Sequence, residues 1–184
     1  RFSHFLQPVW SSVSPASPEN YYCNGRGASP VDDYNTVTFS YRYRVDRPLD
    51  EADLEEITSG RWFPPQMQRG TMQMSNGYVI DTFLPVATKG NDYLIDRELQ
   101  RTQSFTGIFG INTQDRAIQE TMPAVEGELP GLVDRTQEHL VASDAPVAMF
   151  RRQLVKMARD LSDGIEPRAA SLPASYLARG LVKF

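Results

Sequence analysis

One cysteine, Cys23, and two histidines, His4 and His139, are all the thiol and imidazole chemistry in this 184-residue chain. A lone thiol closes no internal disulfide and builds neither a zinc knuckle nor an iron–sulfur cluster, each of which needs several ligands. An unpaired cysteine suits a reducing compartment, so a cytoplasmic location is expected. No apolar run approaches the roughly 20 residues that span a bilayer, which excludes a membrane helix as a reading of the sequence. The 19 Lys and Arg are scattered and outnumbered by 23 Asp and Glu. Nucleic acid, whose binding rests on neutralising phosphates, is not an expected partner. A Gly-x-Ser-x-Gly elbow is absent and neither histidine has an evident Ser or Cys partner, so a hydrolase has no support. An initiating methionine and an apolar leader are missing too. Phe2, Phe5 and Val9 already occupy apolar positions, and the expectation is a fragment beginning inside a domain.

What is there suffices for one core. Hydrophobic residues make up 40% of the chain and charged residues 23%, the balance of an ordinary globular protein. The length favours a single domain, residues 1–184, over two. Val37, Phe39, Tyr41, Tyr43 and Val45 alternate with Thr36, Thr38, Ser40, Arg42 and Arg44, which predicts a strand with its odd-numbered face buried. Pro30-Val31-Asp32-Asp33 reads as the turn before it, and residues 2–13 as another strand.

Residues 46–90 hold a possible acidic helix near 50–57, then Pro64-Pro65 and irregularly spaced methionines. A long covering loop is expected there. Asn112 or Thr113 is a plausible cap for a helix over 114–122, stopped by Pro123. Asp134 can cap a short helix carrying Glu138 and His139. Ser143 can cap the longest one, whose stripe is Val147, Phe150, Leu154, Met157, Ala158 and Leu161. Residues 165–184 read as a tail. The order predicts an α+β fold, a curved antiparallel sheet packed by C-terminal helices, and one that is only part of a domain.

Two blocks carry a resemblance. The first runs from Asn91-Asp92-Tyr93-Leu94-Ile95-Asp96-Arg97 through Phe105-Thr106-Gly107-Ile108 to Gln114-Asp115-Arg116-Ala117-Ile118-Gln119-Glu120. The second is Asp134-Arg135-Thr136-Gln137-Glu138-His139-Leu140, with Ser143-Asp144 and Arg151-Arg152 following. In order and spacing they resemble the C-terminal part of the catalytic domain in Rieske non-heme iron oxygenase large subunits, the phthalate 4,5-dioxygenase branch above all. The match covers roughly residues 91–160, and more loosely residues 1–45. It implies a helix-grip-like domain in an oxidoreductase of aromatic compound catabolism, which hydroxylates or O-demethylates an aromatic acid with dioxygen. Either a dioxygenase or a monooxygenase outcome is compatible with it. The cofactors implied are a mononuclear Fe(II) and a [2Fe–2S] Rieske cluster fed by NAD(P)H-derived electrons through a reductase or ferredoxin. The implied assembly is a homo-oligomer, usually a trimer.

By the same resemblance Asp115 is the carboxylate ligand of the mononuclear iron. Ferrous iron in such sites is held by two imidazoles and one carboxylate on a single face, with the other positions open. The family's paired histidines and cluster ligands match no position in this sequence, so this chain alone is expected to bind neither cofactor and to be inactive. Asp115 also has a plainer reading, as an acid in a first helical turn favoured by the helix dipole. Ile108, Phe109, Ile111 and Asn112 are candidates for an apolar substrate wall, or equally for inward-facing core residues. His139 beside Glu138 reads as a surface or interface residue, and Arg151-Arg152 as a solvated helix face. The competing function is a non-catalytic helix-grip module that binds an apolar ligand, because fold alone does not decide function.

Overall fold

Strand β4 (Thr36–Arg44) falls where the alternation predicts it, and it organises the larger sheet. In the computed structural model, which describes residues 4–6, 9–13, 22–122 and 133–177, it pairs with β3 (Tyr22–Pro30) along its whole length. Two short strands, β1 (His4–Leu6) and β2 (Trp10–Val13), complete an antiparallel meander in the order β1-β2-β3-β4. Where a single strand is expected over residues 2–13, the described residues form two antiparallel strands. The turn at 31–35 closes on Asp32, whose Oδ1 accepts the amides of Tyr34 (2.9 Å) and Asn35 (2.7 Å).

The loop expected over residues 46–90 is a correction, because that stretch is largely structured. The possible acidic helix near 50–57 is present as α1 (Glu51–Thr58), and where the loop is expected beyond it lies a separate two-stranded sheet made by β5 (Met67–Gln73) and β6 (Val79–Pro85). Its backbone groups find partners across the hairpin that no local pattern advertises. The two hairpins are tied together where Asp32 Oδ2 accepts the Ser75 amide at 2.9 Å. That bond, with the turn bonds behind it, holds the Asp32 carboxyl well below the usual carboxylate range.

Helix α1 closes one face of the four-stranded sheet through charge. Asp50 and Asp53 form a reciprocal capping box at its start, each accepting the other's amide (2.9 and 3.0 Å). Asp53, only 3% exposed, also accepts from Arg47 at 2.5 Å and from the Tyr22 hydroxyl on β3. Arg44 lies 3.8 Å from it, and Arg42 pairs with Glu56 at 3.4 Å. The guanidinium of Arg47 first, and the Tyr22 hydroxyl second, hold Asp53 well below the usual carboxylate range. The face covered within this chain is thus the Arg42–Arg44 one. The alternation correctly marks a strand, but Phe39, Tyr41 and Tyr43 on the odd face stay exposed.

Beyond β6 come a 3-10 segment (Lys89–Leu94), α2 (Arg97–Thr102), α3 (Ile111–Glu120) and the long helix α4 (Ala145–Ser162). α4 meets the sheet where Phe150 stands edge-on to Phe5 of β1, ring centroids 4.7 Å apart. Its start is Asp144 rather than Ser143, with Pro146 in the first turn. Arg151 is not a solvated cation. It grips Glu138 with two hydrogen bonds of 2.5 and 2.9 Å, and thereby holds the segment after the Arg135–Gln137 turn. The described part of the tail forms two further 3-10 turns. Antiparallel sheets with a C-terminal helix make the α+β class that the sequence predicts. Among the described residues no helix is long and apolar enough to cross a membrane.

Candidate functional site

Helix α3 is fixed at both ends, and the residues that fix it are mostly ones the sequence does not single out. At its start Gly110 adopts φ +83° with its backbone against the Gly60 carbonyl, a position where a Cβ would clash. The next amide, Ile111, donates to the Arg61 carbonyl at 2.9 Å. At the other end the Tyr93 hydroxyl donates to Glu120 Oε2 at 2.8 Å. Glu120 Oε1 accepts a hydrogen bond from Arg116 Nε at 2.8 Å, and Arg116 Nη1 donates to the Ala87 carbonyl at 3.0 Å.

Tyr93 is the anchor of this corner. It is 6% exposed and is the sole buried apolar side chain among the described residues. Burial first, and then the bond to Glu120, push its hydroxyl up to about 12. Its backbone is unusual as well: Asp92, Tyr93 and Leu94 have φ of 51°, 53° and 53°. Non-glycine residues in that left-handed region cost roughly 1–2 kcal/mol each, so surrounding contacts must hold them there. The adjacent Asn91-Asp92 pair, residue types that tolerate positive φ, is the only local hint of the turn.

The helix begins at Ile111, with Gly110 as its cap, so Asn112 and Thr113 lie inside the first turn rather than before it. Asp115 consequently sits in the second turn, and no acid occupies the first. The helix dipole, which acts within the end turn, does not account for it. Thr113 faces inward and is buried, with half-buried Arg116 and Ala117 on the same side. The opposite side carries Ile111, Asp115 and Ile118, at the i, i+4, i+7 spacing of a single stripe, followed by Met122. All four are exposed, Ile118 by 68%. Asp115 is thus an acid set in an outward apolar stripe on a clamped helix.

Of the proposed substrate-wall residues, Phe109 lines a cavity of about 40 Å³ bounded also by Tyr93, Leu94, Thr113 and Gly60. That space is large enough for a water molecule but well short of the roughly 150 Å³ in which a benzene-sized ring fits. Ile108 is half-buried and its carbonyl accepts from Gln114 at 2.9 Å. Ile111 faces outward beside Asp115. Asn112 is half-buried, with its side-chain oxygen enclosed and without a hydrogen-bond partner. The four are neighbours in space but do not frame a common pocket.

Nor do the described residues by themselves fit a metal ion. No three His, Cys, Asp or Glu side chains among them come close enough to share one. Asp115 supplies a single carboxylate, His4 is on β1 and exposed His139 follows the Arg135–Gln137 turn. A ferrous site needs two imidazoles beside the carboxylate.

With this geometry established, comparison with known proteins adds a second line of observation. The family model described as LigXa C-terminal domain like matches residues 3–175. The 3-chlorobenzoate-3,4-dioxygenase oxygenase subunit of Comamonas testosteroni is 30% identical over 173 residues, covering 86% of this chain and 35% of that protein. The phthalate 4,5-dioxygenase oxygenase subunit of Pseudomonas putida is 37% identical over 75 residues, 41% of this chain and 16% of its own length. Resemblance to oxygenase large subunits, with the phthalate branch among them, is borne out. The chain spans about a third of the first relative's length.

Proposed function

We propose, because this chain belongs to the family described as LigXa C-terminal domain like, that it is a single-domain portion of the oxygenase subunit of an aromatic-ring oxygenase. In this reading Asp115 is the carboxylate ligand to a mononuclear Fe(II). The two imidazoles come from polypeptide beyond the matched region, as do the ligands of a Rieske cluster supplied with NAD(P)H-derived electrons through a reductase. The substrate of the whole subunit is an aromatic acid, hydroxylated or O-demethylated with dioxygen in the cytoplasm by a homo-oligomer. These 184 residues alone bind no iron and turn over nothing.

The supporting observation is the setting of Asp115. A carboxylate within an exposed apolar stripe is stable while water reaches it. Once another surface covers Ile111 and Ile118, the same carboxylate loses that water, at a cost of several kcal/mol unless a cation meets it. The stripe therefore calls for an apolar cover that brings positive charge, and a ferrous ion held by two neutral imidazoles meets that requirement. The chain's own residues supply rigidity. Tyr93, Glu120 and Arg116 fix one end of α3, and the Gly110–Gly60 contact the other, so the carboxylate's position does not wander. Ile111 contributes apolar wall beside it, and a substrate wall that also uses Ile108, Phe109 and Asn112 is completed only by the same covering polypeptide.

The test is iron content. The longer subunit encoded around this chain is purified with and without Asp115→Ala, and mononuclear iron is measured beside Tm. Iron lost with Tm unchanged supports the assignment; iron retained in the variant sinks it. A metal-free longer protein that takes up apolar ligands favours the carrier reading instead.

A further inference from the structure

The odd-numbered face of the four-stranded sheet is built unlike the Arg42–Arg44 face. Along β3 it has no side chain at two successive positions of that face, Gly25 and Gly27, which pair with Tyr41 and Phe39 of β4. Trp10, paired with Gly27 from the other side, lays its six-membered ring 3.0 Å from where a Cβ of Gly27 would stand. Tyr41 lies over Gly25 in the same manner, occupying the space a side chain would need. The rings of Trp10 and Tyr41 are 6.0 Å apart. The result is a low aromatic sheet over bare backbone, extended by Phe39 and by Tyr43, whose ring stacks 6.3 Å from that of Tyr41, and all four of these side chains are exposed, Phe39 by 54%. Cross-strand aromatic cover of glycine is a recognised way to stabilise such strands. It leaves the outer ring surfaces open, on the order of 400 Å² for half-exposed aromatic groups, a size at which apolar patches mark contact sites.

We infer that this face is a docking surface for apolar polypeptide of the same longer subunit. The inference rests on the reading that the chain is part of such a subunit, but not on Asp115 or on iron. Two facts select this occupant. The chain spans 35% of the length of the chlorobenzoate relative it matches, so nearly two thirds of a comparable polypeptide is available to cover it. The patch also lacks charge, whereas the opposite face meets its partner α1 through Asp53 and Glu56. An uncharged, low surface suits a permanent apolar contact, of the kind that forms inside one folding unit.

Hydroxyl-radical footprinting of the longer subunit and of the 184-residue chain, with oxidation read at Trp10, Phe39 and Tyr41 by mass spectrometry, tests it. In the longer subunit the three rings are expected to react at least about fivefold more slowly, the change from half-exposed to core, and dilution should not alter the rate. Phe39→Lys in the longer subunit should restore reactivity at Trp10 and Tyr41, while the same change in the short chain leaves its circular dichroism and their rates unaltered. Equal rates in both proteins overturn the inference. So does protection that fades on dilution as a sedimenting oligomer dissociates, which would identify a second copy as the occupant. A reading frame supplying no further polypeptide overturns it as well. Protected rings in an iron-free subunit would leave this inference standing and sink the function above; iron bound beneath open rings would do the reverse.

Discussion

Asp53 and Asp115 are carboxylates of the same kind in opposite circumstances. Asp53 is enclosed and accepts hydrogen bonds from Arg47, Tyr22 and the Asp50 amide, so its charge is answered within the chain. Asp115 is exposed, flanked by isoleucines, and no described residue donates to it. The first holds α1 to the sheet. The second makes no such tie among the described residues. A buried charge with every partner in place is architecture; in the reading proposed above, an exposed charge on a rigid apolar support awaits a covering surface.

The contrast can be broken most forcefully at Asp53. Asp53→Ala should strand Arg47, Arg44 and Tyr22 around a vacancy and lower Tm by roughly 10 °C, read by thermal circular dichroism. A Tm within a degree of the parent would show that the network is ornament. Lowering pH probes the same carboxylate together with Asp32. Both are held well below their unfolded values, so the stability they confer is complete above about pH 4. It drains away as pH falls below that, because the unfolded chain takes up protons first. Urea midpoints that stay flat from pH 6 to pH 3 would contradict this. At the α3 clamp, Tyr93→Phe removes only the bond to Glu120 and should cost about 1.5–3 kcal/mol, the range for a hydrogen bond to a charged group. The native Tyr93 hydroxyl should ionise near 12, detectable by ultraviolet titration, with stability falling between about pH 10 and 12 as the unfolded chain ionises first. The smallest effect is the sharpest. Asp115→Asn should move the stability of the 184-residue chain by less than about 0.5 kcal/mol; a larger loss would place Asp115 among the structural carboxylates.

Much of this was legible before any coordinates, though unevenly. The 36–45 alternation located β4, because a half-covered strand must repeat every two residues. It put the cover on the odd-numbered face, whereas the even one is covered, because that depends on α1 arriving with Asp53 and Glu56. The acidic helix expected near 50–57 is α1, whose start is the Asp50-x-x-Asp53 capping box. The β5–β6 hairpin was hidden by Pro64-Pro65 and by strands whose partners are each other rather than a core. At α3 the sequence suggested Asn112 or Thr113 as the cap, whereas Gly110 serves, because the close approach of Gly60 is a tertiary fact. Tyr93 could not have been picked as the anchor from its neighbours; its burial follows from three consecutive left-handed residues that only packing sustains.

The bond from the Ser75 amide to Asp32 has a practical corollary for anyone who would cut, tag or splice this chain. Both hairpin tips look like ordinary surface connections, the usual ports for inserted sequence. Yet one carboxylate staples them, so lengthening either around Asp32 or Ser75 would unfasten the other. Two residues further on, Gly77 projects into open space, with nothing within 4 Å of where a side chain would begin. Its φ of +86° calls for glycine to be kept, but an epitope or fluorophore entering beside it should leave both ribbons fastened.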